Sequence, residues 1–245
     1  MQRTYSCLRF RQTSLHSRRK HEELDIYACM DPAKEVGGDF YDCYWVDKDE
    51  SVLSIMISDV SGKGIPGAMF MMRAKTMMKS FVEQGLGVEE VFNKVNEGLC
   101  EGNEAEMFVT SWLGFVDMKT GHVEYVNAGH NPPLIRPAGQ DFEYLKGRPG
   151  FVLAGMEGMK YKKQEMDIEP GSVIFLYTDG APEAHNAEKQ LYGEDALLAC
   201  VNKNKDGSMK KICDELRADI EEFASGVDQF DDITMLAFRF KEKQK

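Results

Sequence analysis

The chain has 245 residues, of which 42% are hydrophobic, and a formal net charge of −11 with a pI near 5.0. This length and composition are sufficient for a folded core and exclude a disordered chain, and the acidic balance argues against nucleic acid as the main partner. Residues 1–21 contain six basic residues and no acid, so their charge is +6 and the rest of the chain carries −17.

The basic segment 1–21 fits a disordered leader, the end of a longer protein or an organellar transit peptide, whereas it lacks the apolar core of a secretory signal. We expect it to lie outside the main domain, which we predict to span 22–245. No apolar run reaches the length of a membrane span. The six cysteines form no C-x-x-C pair, which argues against zinc and a disulfide framework and favours a reducing, cytoplasmic location.

The elements before residue 101 are predicted from hydrophobic periodicity. Aromatic and apolar runs predict strands at 25–30, 40–46 and 52–57, the third covered on both faces. The seven-residue apolar spacing between 65 and 84 predicts a helix that Pro66 begins and Gly85 ends. A second helix is predicted at 88–100. We expect the methionines at 69, 71, 72, 77 and 78 to pack in the core and not to form a binding surface.

After residue 101 the pattern becomes mainly β. Strands are predicted at 108–116, 122–127, 134–135, 142–145, 161–168 and 173–177, then two helices at 193–201 and 208–223 and a last strand at 233–240. Short turns between the middle strands favour antiparallel pairing. The sequence therefore predicts one α+β domain with helices outside packed sheets.

Carboxylates recur at the ends of predicted strands and in glycine turns. Asp39, Asp59, Asp179 and Asp231 all have such a setting, where the backbone holds the side chain and glycine permits close approach. Mg²⁺ and Mn²⁺ prefer oxygen ligands of this kind, and two such ions can promote displacement at phosphorus. Each aspartate alone is weak evidence for a metal, because an isolated Asp-Gly pair is far more often an ordinary turn. His130, in a tight loop, is either a general acid or a histidine held by backbone hydrogen bonds, and His122 has no recognisable partner.

Five motifs in order carry a family resemblance: PAKEVGGDFYD (32–42), SDVSGKGIP (58–66), NAGHNPP (127–133), YTDG (177–180) and DDIT (231–234). Together they resemble the stage II sporulation protein E type of the metal-dependent type 2C (PPM) serine/threonine phosphatases. The resemblance implies a four-layer α-β-β-α sandwich with two central, mainly antiparallel sheets.

The resemblance also implies a site and a reaction. Asp59 would bridge two Mg²⁺ or Mn²⁺ ions, the Val60 carbonyl would join one shell, Asp179 and Asp231 would complete the other ion, and Asp39 would bind directly or through water. The nucleophile would be a metal-bound water, with no protein nucleophile. The resemblance assigns Asp232 no metal. It supplies no phosphate-binding residue here, so either Lys63 or the adjacent helix N-terminus is a candidate for the substrate phosphate, and a solvated Lys63 is the alternative.

The implied substrate is a phosphorylated regulatory protein of the anti-anti-sigma type in bacterial signalling, under an activating partner or an upstream sensor domain. Two alternatives remain open at this point. One is a scaffold of the same fold that binds a partner without catalysis, and the other is a hydrolase of a small phosphorylated compound.

Overall fold

The computed structural model describes residues 24–241, so the predicted basic leader lies outside the described residues. The strands are β1 Asp25–Asp31, β2 Phe40–Trp45, β3 Val52–Val60, β4 Val109–Asp117, β5 His122–Ala128, β6 Leu134–Arg136, β7 Glu143–Tyr144, β8 Gln164–Asp167, β9 Val173–Tyr177 and β10 Ile233–Arg239. The helices are α1 Ile65–Glu83, α2 Val88–Cys100, α3 Gly193–Lys203 and α4 Met209–Phe223.

The contacts divide the described chain into two compact units. The β3 unit contains residues 34–130 and 147–168, and the β10 unit contains residues 24–33, 131–146 and 169–241. Each unit has one five-stranded antiparallel sheet, with the order β2-β3-β4-β5-β8 in the first and β1-β10-β9-β6-β7 in the second. The predicted antiparallel pairing is therefore confirmed.

The β3 unit is built by helices α1 and α2 packing on one face of its sheet. Phe40, Met56 and Val60 point from the sheet into this core, against α1 residues that include Ala74 and Met78. Residues 53–57 of β3 are all fully buried, at 0% exposure, as predicted for a strand covered on both faces. Because side chains alternate along a strand, Asp59 lies on the face of the sheet away from these helices.

The methionines of α1 do not all behave as predicted. Met78 is fully buried and Met71 and Met77 pack against the core, but Met69 and Met72 are 70% and 59% exposed. The prediction of core packing is wrong for these two because they lie on the outer side of the helix, which the seven-residue apolar spacing does not cover.

The β10 unit places α3 and α4 on one face of its own sheet. Its core joins Phe175 and Tyr177 of β9 with Met235 and Ala237 of β10, under α4 residues such as Leu216. The first and last strands of the chain lie side by side, with Asp25 opposite Arg239 and Asp31 opposite Ile233. Asp231 and Asp232 directly precede Ile233, so they lie at the end of this strand pair, next to the end of β1.

A buried asparagine fastens the loop that precedes β8 to helix α2. The Asn96 side chain is 0% exposed. Its Oδ1 accepts hydrogen bonds from the Ala154 backbone N–H, at 2.9 Å, and from the Tyr161 hydroxyl, at 3.1 Å, and its Nδ2 donates to the Met156 carbonyl, at 3.0 Å. One side chain therefore satisfies three polar groups of this loop.

Replacing Asn96 by leucine should destabilise the protein because the same groups stay buried without their partners. We expect Asn96→Leu to lower the free energy of unfolding by about 2–4 kcal/mol, measured by urea denaturation. Lys94→Ala, an exposed position on the same helix, is the control and should change the free energy by less than about 0.5 kcal/mol. Equal stabilities of the two variants would contradict this account.

Candidate metal centre

The pairing of β2 with β3 brings Asp39 and Asp59 to the same end of one sheet. Phe40 is opposite Ser58 in this antiparallel pair, so the next residue on each strand is an aspartate, Asp39 on one side and Asp59 on the other. Asp39 is 2% exposed and Asp59 is half-buried. The strand β3 runs to Val60, beyond its predicted end at Ile57, so Asp59 is held by regular strand geometry.

A close backbone approach adds a carbonyl oxygen to this group. A Cβ atom built on Gly38 would lie 3.0 Å from the Val60 carbonyl oxygen and 3.3 Å from that of Gly62. Glycine beside Asp39 thus leaves room for the Val60 carbonyl, which was predicted to be a metal ligand. Lys63, the candidate for the substrate phosphate, is exposed in the loop between β3 and α1.

In the β10 unit, Asp179 and Asp231 come together through the end of the β9–β10 pair. The Thr178 backbone N–H donates to the Thr234 carbonyl and the Thr234 N–H donates to the Thr178 hydroxyl, both at 3.0 Å. A Cβ atom on Gly180 would lie 2.0 Å from the Asp232 carbonyl oxygen and 3.4 Å from the Asp231 carbonyl carbon. The turn that carries Asp179 therefore touches the segment that carries Asp231.

The neighbouring carboxylate of Asp232 is hydrogen-bonded to the backbone of the segment that follows β1. It is buried, and its Oδ1 accepts a hydrogen bond from the Ala33 backbone N–H at 2.8 Å. The Oδ1 of Asp231 accepts from the Asp232 N–H at 3.0 Å, which fixes the direction of the Asp231 side chain. At least one oxygen of the Asp232 carboxylate is therefore engaged in a hydrogen bond to the backbone.

The predicted ligands fit a divalent cation by their chemistry and by the space left for them. Within each unit, carboxylate oxygens stand at a strand end, and a glycine permits a backbone approach that a side chain would block. Hard cations such as Mg²⁺ and Mn²⁺ take such oxygen ligands. The structure groups Asp39, Asp59 and Val60 in one unit and Asp179 and Asp231 in the other.

A second group of possible ligands lies at the opposite end of β5 and was not foreseen. Ligand atoms of His122, Glu124 and Glu165 are within 4.8 Å of one another. However, the Lys163 ammonium pairs with both glutamates, and the His122 Nδ1 is hydrogen-bonded to Asp167 at 2.8 Å. The bond to Asp167 raises the pKa of His122, and Lys163 lowers the pKa of Glu165. These charges compensate one another, so we assign this group to surface ion pairing.

The described cysteines whose pKa shifts are resolved are poor nucleophiles. Burial is the main cause that raises the pKa of Cys43, Cys100 and Cys200. Since the thiolate is the reactive form of cysteine, these side chains are held in the unreactive form. Within the described part of the chain, no helix is both long enough and apolar enough to pass through a membrane.

Comparison with known proteins identifies related sequences. The family model described as stage II sporulation protein E (SpoIIE) matches residues 49–241. Phosphoserine phosphatase RsbU of Bacillus subtilis is 31% identical over 235 residues, which cover 94% of this chain and 68% of RsbU. Protein IcfG of Synechocystis is 28% identical over 244 residues, covering 88% of this chain but only 38% of IcfG.

Solved structures share the fold. The SiaA-PP2C domain of Pseudomonas aeruginosa superposes with a TM-score of 0.76 at 21% identity, covering 89% of this chain and 86% of that domain. RsbX in complex with magnesium gives a TM-score of 0.63 at 16% identity, covering 88% of this chain and 96% of RsbX. The predicted fold class, α+β with two antiparallel sheets, is confirmed, as are the family resemblance and the phosphatase class.

The contact at Gly180 gives a test of the site geometry. In Gly180→Ala the added methyl group would meet the Asp232 carbonyl oxygen at 2.0 Å, so the Asp179 turn and the Asp231 segment must move apart. A displacement near 1 Å at a reacting centre costs about a hundredfold in rate, and we expect that loss in kcat for an aryl phosphate. Gly87→Ala is the control, because its Cβ would come no closer than 3.7 Å to the nearest side chain. Wild-type kcat in Gly180→Ala would contradict the assignment of this turn.

Proposed function

We infer that the chain, which belongs to the stage II sporulation protein E family, hydrolyses phosphoserine or phosphothreonine on a regulatory protein with the help of two Mg²⁺ or Mn²⁺ ions. The family match draws on residues of both units, and we assign both to one phosphatase domain, residues 22–245. The observation that carries the proposal is the strand-end geometry of the carboxylates in each unit.

The proposed ligands divide by their position. Asp59 would be a ligand shared by the two ions, the Val60 carbonyl would join one shell, and Asp39 would bind directly or through water. Asp179 and Asp231 would hold the second ion. The register of β2 and β3 and the close approach at Gly38 support Asp59, Val60 and Asp39 as ligands. The contact at Gly180 supports the other two. When bound, such ions activate water and stabilise the charge of an in-line displacement at phosphorus.

We propose that no side chain of the protein is phosphorylated during turnover. The raised pKa of the Cys43 thiol supports this, because a protonated thiol is a weak nucleophile. Besides holding the ions, the side chains of the protein would position the phosphate of the substrate. The exposed Lys63, in the loop that follows Asp59, is proposed to attract the phosphate and not to take part in bond breaking.

A protein substrate is supported by an exposed apolar stripe on α1, formed by Ile65, Met69 and Met72. Their side chains are 73%, 70% and 59% exposed and lie on one side of the helix, given their spacing. The stripe begins directly after the loop of Lys63, in the same unit as Asp59. Exposed apolar groups of this kind mark protein contacts, and we propose that the phosphorylated regulatory protein docks there.

The name of the relative RsbU, a phosphoserine phosphatase, supports phosphoserine as the group that is hydrolysed. We propose, as the family resemblance implies, that a phosphoprotein of the anti-anti-sigma type carries it. The protein IcfG extends well beyond the segment matched by this chain, which covers 38% of it. We propose, as the family resemblance implies, that a sensor segment or an activating partner controls the activity. A small phosphorylated compound is the competing substrate, and free nucleotides tested beside a phosphopeptide distinguish the two.

Asp59 and Lys63 should respond differently to substitution. Asp59→Asn keeps the size of the side chain but removes the charge that holds two cations together, so we expect kcat to fall at least about a thousandfold. Lys63→Ala should raise KM for the phosphoprotein by about tenfold or less, with little change in kcat. Steady-state kinetics with Mn²⁺ measure kcat and KM of both variants. A chelator should abolish the activity of the wild type, and added Mn²⁺ should restore it.

Circular dichroism shows whether each variant is folded. Full activity of the wild type in chelator, or a folded Asp59→Asn that keeps more than about a tenth of kcat, would falsify the two-metal assignment.

A substitution in the apolar stripe should change the kinetics with protein substrates and not with small ones. Met69→Glu puts a charge into the proposed contact, so we expect KM for a phosphorylated anti-anti-sigma protein to rise about tenfold, which corresponds to about 1.4 kcal/mol of binding. The kcat/KM for an aryl phosphate should not change. Thr76→Glu, exposed further along α1, is the matched control. An equal effect of Met69→Glu on both substrates would argue against docking at this stripe.

A further inference from the structure

His130 is a buried histidine for which the proposed reaction has no role. It follows β5 and is 3% exposed. The Asn127 side chain holds its backbone twice, because Nδ2 donates to the His130 carbonyl at 3.0 Å and the His130 N–H donates to Oδ1 at 2.8 Å. Gly129 has a φ of +72°, and a Cβ there would lie 2.6 Å from the Val152 Cγ1. These contacts fix the loop without using the imidazole ring.

The ring of His130 reaches a hydroxyl group on the neighbouring strand. Its Nδ1 lies 2.9 Å from the Thr110 Oγ1. Thr110 belongs to β4, and its partner across the β3–β4 pair is Asp59. Side chains of directly opposed residues point to the same face, with Cβ atoms about 4.5–5.5 Å apart. Since β4 lies between β3 and β5, the Thr110 side chain stands between His130 and Asp59.

We propose that His130 and Thr110 are positioning residues for Asp59. The inference rests on the proposed function, because it takes Asp59 to be the bridging ligand. A hydroxyl group has one proton to donate. When the His130 Nδ1–H donates to the Thr110 oxygen, the hydroxyl proton turns away from His130 toward the β3 side, where Asp59 stands. Outer partners of this kind hold a ligating carboxylate in one orientation and tune its basicity.

The competing interpretation is a histidine that only stabilises its loop. The two interpretations differ in what Thr110 does. The Asn127 bonds keep the loop closed whether or not Thr110 has a hydroxyl group, so Thr110→Val removes the hydrogen bond to His130 without touching the loop. Valine also keeps the branched shape of threonine. A loop function predicts no effect of this change on a cation, whereas a positioning function predicts a weaker site.

The experiment measures Mn²⁺ binding to the metal-free protein by titration calorimetry, with no substrate present. Thr110→Val and His130→Ala should each weaken Mn²⁺ binding about ten- to a hundredfold. Thr110→Ser retains the hydroxyl group and should stay within about threefold of wild type. Because both residues act through one hydrogen bond, the double variant should bind about as weakly as the weaker single variant and not at the product of the two effects.

His122→Ala is the matched control. His122 is the first residue of β5, at the end away from His130. It is hydrogen-bonded to Asp167, and its loss should leave Mn²⁺ binding unchanged. Circular dichroism shows whether each variant is folded, and if His130→Ala is not folded, Thr110→Val and Thr110→Ser decide the question.

The failure of this inference is distinct from that of the proposed function. A wild-type chain that binds no Mn²⁺, or an Asp59→Asn variant that binds it normally, overturns the proposed function. If Asp59→Asn loses Mn²⁺ while Thr110→Val binds it as wild type does, the metal centre stands. His130 is then a loop histidine, and the inference is overturned.

Discussion

The antiparallel register of β3 with its two neighbours is the constraint on which the site depends. Side chains alternate along a strand, so a slip of one residue would turn Asp59 toward the helices and Val60 away from them. The register is set by apolar residues on the helix face, where Phe40, Met56 and Val60 pack under α1. The core thus decides which face receives the carboxylate, and the same packing that stabilises the unit orients the proposed ligand.

In the β10 unit, backbone contacts and not strand register place the aspartates. Reciprocal hydrogen bonds between Thr178 and Thr234 continue the β9–β10 pair to its end, and Gly180 allows the two chain segments to touch. Asp179 and Asp231 are therefore placed by backbone contacts and not by a strand alternation. In both units a glycine stands beside a proposed ligand, because a Cβ atom would occupy the space that the neighbouring backbone needs.

Acidic residues are common in this chain, and their surroundings separate a metal site from an ordinary charged surface. Glu124 and Glu165 lie close together, but they share the ammonium group of Lys163 and are paired across an exposed strand edge. Asp39, in contrast, is buried at a strand end beside a backbone carbonyl that glycine leaves accessible. Proximity of carboxylates alone would have favoured the glutamate pair over the proposed ligands.

The sequence by itself determined most of the local structure. Helix α2 and strand β9 have the predicted bounds, since periodicity and turn residues act over a few positions, and the five motifs were sufficient to indicate the family. Only the tertiary structure decided which distant segments meet: β1 beside β10, His130 beside Thr110, and His122 beside Asp167. It also left Met69 and Met72 exposed where core packing was predicted. Strand register and the choice of helix face depend on contacts between residues far apart in the chain, and no local pattern records them.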